Sequence, residues 1–326
     1  MEWLLAGLGL GILLLAGDSL VKGAVNFSLR LGVPALIVSL TIVAFGTSAP
    51  ELLISVNAVL EGVPGIALGN VVGSNTANIL LVMGVPALLA TLHTSEFDTR
   101  KTYVFMLLAS VLFIALAFAG TFTWISGVVL LIVLSLVLMD AFRDAQSHRR
   151  ANGTPEAPDK ATEDDDALLD DLEGADPDMP WWQIIVFLAL GLIGLPLGAD
   201  LLVDNARIIA ASYGVSETVI GLTLVALGTS LPELATTVMA ALRRQADVAL
   251  GNVIGSNMFN LLAIIGVAAV IGDIPVDPEF LHFDLWVMLG ASLLIFPFVF
   301  LRWNITRAWG IVLTLLYAVY VAMLLF

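Results

Sequence analysis

The chain has 326 residues, 59% of them hydrophobic and 13% charged, with a mean hydropathy of +1.00 and a formal net charge of −15. Soluble domains carry roughly 45–50% apolar and about 25% charged residues, so the composition excludes a soluble enzyme and describes a chain that faces lipid. No cysteine occurs, which removes disulfides, thiolate metal sites and cysteine nucleophiles.

Apolar runs long enough to cross a bilayer, about 20 residues each, are predicted over residues 3–28, 34–60, 64–90, 102–119 and 122–142. The first carries Asp18 and Lys22 before its end and has no small-residue cleavage site, so it is expected to stay as a helix. Residues 143–180 follow, holding Glu163, Asp164, Asp165, Asp166, Asp170, Asp171, Glu173, Asp176 and Asp178. This stretch reads as a solvated acidic linker, since it lacks the ordered Asp-x-Asn-x-Asp-Gly spacing of a calcium loop. A second set of spans is predicted over 181–206, 216–242, 246–271, 283–301 and 308–326. The expectation is an all-α polytopic membrane protein of ten transmembrane helices: a five-helix unit at 1–142, the linker at 143–180, and a five-helix unit at 181–326.

Basic residues bias toward the cytoplasm. With the N-terminus outside, Lys22, Arg30, Arg100, Lys101, Arg143, Arg149, Arg150, Lys160, Arg243, Arg244, Arg302 and Arg307 collect on the cytoplasmic side, and only Arg207 remains opposite. Both termini are therefore expected outside, with the 143–180 loop in the cytoplasm of a multi-pass plasma-membrane protein. Asp18 with Lys22, and Asp204 with Arg207, are read as local pairs at helical spacing near span ends.

The segment Thr41-Ile-Val-Ala-Phe-Gly-Thr-Ser-Ala-Pro-Glu51 recurs as Thr223-Leu-Val-Ala-Leu-Gly-Thr-Ser-Leu-Pro-Glu233, at an offset of 182 residues. Ala67-Leu-Gly-Asn-Val-Val-Gly-Ser-Asn-Thr-Ala-Asn78 recurs as Ala249-Leu-Gly-Asn-Val-Ile-Gly-Ser-Asn-Met-Phe-Asn260 at the same offset, so the repeated regions run over 41–84 and 223–266. Five spans per copy turn the second copy over in the membrane. Such inverted-topology repeats are the plan of many secondary transporters, with the substrate site near the midplane where the copies meet.

Glu51 and Glu233 fall inside apolar spans, where an acidic side chain costs on the order of 2.5–3.5 kcal/mol on insertion scales. No Lys, Arg or His lies in either motif, so the partners are bound cations, protons, or polar groups of the other copy. Thr47 and Ser48 share a helix face with Glu51, as Thr229 and Ser230 do with Glu233. Pro50 and Pro232 have no amide to bond the carbonyls of Gly46 and Gly228. Ser74 with Asn78, and Ser256 with Asn260, add oxygens at i and i+4, while Gly69/Gly73 and Gly251/Gly255 form small-xxx-small faces for close packing. An all-oxygen set suits calcium, magnesium or sodium and not zinc or copper.

The doubled Gly-Thr-Ser-x-Pro-Glu and Gly-Asn-x-x-Gly-Ser-Asn blocks resemble the α-repeats of the cation/calcium exchanger superfamily, in its sodium/calcium exchanger branch. With the helix count and the central loop, the resemblance covers nearly the whole chain. It implies a cation site formed by the second, third, seventh and eighth helices, and sliding of the long first and sixth helices to alternate access. The ligands it implies are Thr47, Ser48, Glu51, Ser74, Asn78, Thr229, Ser230, Glu233, Ser256 and Asn260, with backbone carbonyls near Ala44 and Ala226. Many relatives have Asp where Asn260 stands, and its absence here argues against potassium co-transport.

The resulting expectation is an antiporter, not an enzyme, that exchanges Ca2+ for Na+ through one shared site. Its rivals are Ca2+/H+ exchange, since two buried glutamates could take up protons, and a cation channel. No resident cofactor is expected. The expected partners are Ca2+, Na+ and the lipid bilayer, with no nucleic acid and no obligate protein partner.

Overall fold

The computed structural model describes residues 1–94, 97–151, 175–214, 226–278 and 280–325. Its first helix, α1 (Glu2–Leu31), is a 30-residue apolar rod that stops at Gly32, whose left-handed backbone (φ 67°) lets its amide close the last turn onto Leu29 and Ser28. Only glycine adopts that conformation without strain. The second predicted span is split into α2 (Ala35–Thr47) and α3 (Ala49–Leu60), bent by 43° at Ser48. Pro50, two residues on, sits in the first turn of α3, where a missing amide costs least. There follow α4 (Gly65–Leu89), α5 (Arg100–Ala117) and α6 (Trp124–Ala151).

The second half begins with α7 (Trp181–Ser212). Of the predicted seventh span, residues 215–225 lie outside the described residues, and the remainder forms α8 (Ala226–Thr229) and α9 (Leu231–Leu242). The chain continues with α10 (Ala246–Ile271), α11 (Phe280–Phe300) and α12 (Arg307–Leu325). Among the described residues, eight helices are long and apolar enough to span a bilayer, and the bent α2–α3 pair makes nine. The protein is a multi-pass, all-helical membrane protein. The exceptions are an antiparallel pairing of two-residue strands, β1 (Thr121–Phe122) with β2 (Ile274–Pro275), and a bridge between Leu92 and Ile305, which tie loop ends together.

The repeat detected in the sequence is carried into the backbone at several matching segments. The segments Ala44–Thr47 and Ala226–Thr229, the helices α3 and α9, and the π-helical stretches Asn78–Val82 and Asn260–Ile264 begin and end 182 residues apart. The serines at the breaks share one backbone conformation, φ −85° and ψ 5° at Ser48, φ −87° and ψ 2° at Ser230.

α4 and α10 form the centre: 78% and 83% of their apolar windows are buried, against 17% and 22% for α6 and α12. The exposed leucines and isoleucines of α6, α7 and α12 face where lipid would lie, so their exposure carries no penalty in a bilayer. α1 and α7 run against each other backbone to backbone. A Cβ at Gly191 would sit 2.5 Å from the Cβ of Leu20, and one at Gly198 would sit 2.7 Å from the amide nitrogen of Leu13. Close approach by small residues is the packing mode available where no hydrophobic effect drives helices together. α7 also lies against both helix breaks, leaving no room for a side chain between Gly46 and Leu192 or between Gly228 and Val203.

Two local readings change. Asp18 pairs with Arg243, 225 residues away, and not with Lys22 one turn on; the Lys22 ammonium instead lies 4.7 Å from the ring centre of Phe187. Helix α6 runs to Ala151, past the predicted linker start, and the far end of that stretch is docked. There the Asp176 amide donates to Asn26 (2.7 Å) and Arg30 donates to the Met179 carbonyl (3.0 Å). Residues 152–174, with most of the acidic run, lie outside the described residues.

Candidate cation site at the repeat interface

The two breaks and the two central helices bring the motif side chains into one buried polar layer. Glu51 and Glu233 are both fully buried at 0% exposure, each in the first turn of the helix that follows its break. The first turn of a helix carries the positive end of its dipole, which favours a carboxylate there.

The layer is wired across the repeats. Ser48 donates its hydroxyl to Glu233 Oε1 at 3.1 Å. Thr47 donates to Asn252 Oδ1 at 3.3 Å and to the Ala44 carbonyl at 3.3 Å, and its hydroxyl lies 3.4 Å from that of Ser256. Thus the break of the first copy reaches the glutamate and the central helix of the second. Thr229, Ser230, Ser74, Asn78 and Asn260 are buried too. Ala44 is buried, and its carbonyl already accepts the Ser48 amide (3.1 Å) as well as Thr47. Ala226 is the first residue of α8.

Buried polar atoms are normally hydrogen-bonded, so those without a partner call for an explanation. Among the described residues, both carboxylate oxygens of Glu51, Oε2 of Glu233, the hydroxyl of Ser230, Oδ1 of Asn78 and both amide atoms of Asn260 are buried and accept or donate no hydrogen bond. Nearly all of these are oxygens of motif residues; Asn75 Oδ1, Gln245 Nε2 and Thr314 Oγ1 are likewise without a partner among the described residues, the last two outside the motifs. No group of three or more His, Cys, Asp or Glu side chains that could hold a metal occurs among the described residues. A cation in this layer would be met by two carboxylates and neutral oxygens.

Support comes from asparagines inside the motif blocks that are not themselves candidate ligands. Asn70 donates to the backbone carbonyl of Glu51 (3.2 Å) and to the Ser55 hydroxyl (3.1 Å); its counterpart Asn252 donates to the Glu233 carbonyl (3.4 Å) and to Thr237 (3.3 Å). Each amide stitches the glutamate's turn to the neighbouring central helix. The only signal available for them was their recurrence at the offset. The small-residue faces divide: a Cβ at Gly255 would meet the Leu40 carbonyl and the Ala44 Cβ at 2.6 Å, whereas one at Gly73 meets nothing within 4 Å among the described residues. Asn78 and Asn260 each open a π-helical stretch, a form that recurs at functional sites and that a run of apolar residues does not announce.

A family model described as "Sodium/calcium exchanger protein" matches residues 1–141 and 183–326. The chain is 33% identical over 351 aligned residues to the sodium/calcium exchanger MaX1 of Methanosarcina acetivorans, covering 100% of this chain and 99% of that one. It is 34% identical over 320 residues to the inner membrane protein YrbG of Escherichia coli, covering 97% and 94%. The solved structure of the sodium/calcium exchanger from Methanococcus jannaschii superposes with a TM-score of 0.80 at 32% identity, covering 99% of each chain. By the match of nearly its whole length to the family model and to these relatives, the chain belongs to the sodium/calcium exchanger family of membrane ion exchangers.

Proposed function

We propose that the protein is a secondary antiporter that exchanges Ca2+ for Na+ by alternating access, through a shared site near the membrane midplane formed around Glu51 and Glu233. The observation that carries this reading is the pair of fully buried glutamates whose carboxylate oxygens are left largely without hydrogen bonds among the described residues. The liganding set is Glu51, Glu233, Thr47, Ser48, Ser74, Asn78, Thr229, Ser230, Ser256 and Asn260, with the backbone near Ala44 and Ala226. Calcium takes six to eight oxygens and can bridge two carboxylates, and sodium uses the same hard ligands.

Charge sets the exchange. With Asn at both 78 and 260 the site carries at most two negative charges, which one Ca2+ or two Na+ neutralise. A third Na+ leaves the loaded site positive, so exchange of three for one would be electrogenic. The hydroxyl and amide oxygens favour sodium over protons as the coupling ion, because a proton needs no cage of neutral oxygens. Fully wound, the architecture is ten spans in two inverted units, 1–142 and 181–326. The termini are outside, and the 143–180 loop is on the cytoplasmic side of the plasma membrane.

Calcium flux in proteoliposomes under imposed gradients tests the reading. An outward sodium gradient should drive calcium uptake, while proton and potassium gradients should not. Uptake driven by a pH gradient alone would assign Ca2+/H+ exchange instead. Uncoupled calcium flux that needs no counter-ion would assign a channel.

A further inference from the structure

Three residues before each candidate ligand asparagine stands another asparagine, Asn75 before Asn78 and Asn257 before Asn260. These two join the central helices across the repeat axis: Asn75 Nδ2 donates to the Asn257 carbonyl (3.1 Å), and Asn257 Nδ2 donates to the Asn75 carbonyl (3.4 Å). A side-chain amide whose nitrogen is engaged this way presents its oxygen on the opposite branch. Asn257 uses that oxygen, accepting the Nδ2 of Asn78 at 3.1 Å. The symmetry-related bond, from Asn260 Nδ2 to Asn75 Oδ1, is not made. Both of those atoms are buried and unpartnered among the described residues. The network is thus symmetric in its backbone half and one-sided in its side-chain half.

The difference bears on ligation. The oxygen and nitrogen branches of an asparagine amide are nearly the same in shape, so packing does not choose between them; the hydrogen-bond partner does. A cation needs the oxygen and is repelled by the amide hydrogens. Tying Nδ2 of Asn78 to Asn257 leaves its Oδ1 as the free branch, and that oxygen accepts no bond among the described residues. We propose that Asn257 is a positioning residue for cation binding: it holds Asn78 with its oxygen available to the ion, while Asn260, which has no such partner among the described residues, is the ligand free to turn. This rests on reading Asn78 as a ligand.

The pseudo-symmetry provides the control. Asn257→Ala and Asn75→Ala each remove one of the two matching bonds between the central helices, so their packing damage is alike, but only Asn257→Ala releases Asn78. With the purified full-length protein, equilibrium calcium binding and the calcium dependence of exchange in proteoliposomes are measured for both. Asn257→Ala should raise half-saturating calcium about tenfold, as the loss of one orienting hydrogen bond does, with the maximal rate little changed; Asn75→Ala should stay within about twofold. In an Asn78→Asp background, a carboxylate offers oxygen on both branches, and the added Asn257→Ala change should no longer raise half-saturation. Equal effects of the two alanine variants, or an undiminished effect in the Asn78→Asp background, would overturn the proposal. If Asn257→Ala fails to fold, Asn257→Asp keeps the acceptor for Asn78 and should not raise half-saturating calcium; a tenfold rise overturns it. Unchanged calcium binding by Asn78→Ala refutes the ligand reading itself and is read separately.

Discussion

Ser48 and Ser230 occupy equivalent breaks with the same backbone geometry, yet only Ser48 is hydrogen-bonded to a carboxylate, Glu233 at 3.1 Å. Replacing each with alanine should therefore have unequal effects. Ser230→Ala removes one neutral oxygen, whose loss costs about 1 kcal/mol, roughly a fivefold rise in half-saturating calcium. Ser48→Ala removes an oxygen and also a hydroxyl donor to the Glu233 carboxylate. Hydrogen bonds to charged groups contribute about 1.5–3 kcal/mol, which is about 10- to 150-fold in an equilibrium constant. Alanine fits the backbone at Ser48, because φ −85° and ψ 5° is a turn conformation that alanine adopts as readily as serine, so folding should survive. Equilibrium calcium binding to purified protein separates the two, with Ser48→Thr, which keeps the hydroxyl, as the rescue. Equal shifts for Ser48→Ala and Ser230→Ala, or no shift for Ser48→Ala, would refute the view that the first repeat's break organises the second repeat's glutamate.

Gly255→Val should abolish exchange and lower thermal stability in detergent, since its side chain would be built into the Leu40 carbonyl and Ala44; overpacking of this kind costs about 1–3 kcal/mol or more. Asp18→Asn and Arg243→Gln should each destabilise by about 1–3 kcal/mol, the range between exposed and buried pairs. The double variant should cost less than their sum in a double-mutant cycle, and full additivity would mean that the pair contributes nothing. Deleting residues within 152–174 should leave exchange intact, because composition gives that stretch no packed core. Protease added outside intact cells should not cut there, and cleavage would reverse the orientation argued from the basic residues.

The helical membrane fold and the residues of the candidate site were legible because the sequence states them twice. The recurrence at 182 residues marked both glutamates, both prolines and the blocks on both central helices, and in the structure the helices after the breaks and the π-helical stretches begin and end at that same offset. What escaped were features that depend on a partner far along the chain. Asp18 has Lys22 one helical turn away, and local spacing favours that pair, but α1 packs beside α9 and brings Arg243 to it. Asn70, Asn75, Asn252 and Asn257 lie within the quoted motifs. Their work is to bond backbone carbonyls on neighbouring helices, and a pattern of residue types along one helix does not disclose it. The one-sidedness of the site, with Ser48 bonded and Ser230 without a partner among the described residues, is invisible in motifs that recur in both copies.

The central claim is that two glutamates from opposite repeats serve one ion. Glutamine keeps the size and most hydrogen bonding of glutamate and is cheaper to bury, so Glu51→Gln and Glu233→Gln should fold and insert while leaving a divalent cation short of one neutralising charge in a low-dielectric layer. Sodium-driven calcium countertransport by each single variant in proteoliposomes, alongside calcium binding to the same preparations, is the direct measurement. Both variants should lose calcium exchange and calcium binding. Near-normal countertransport by either one would contradict the shared site.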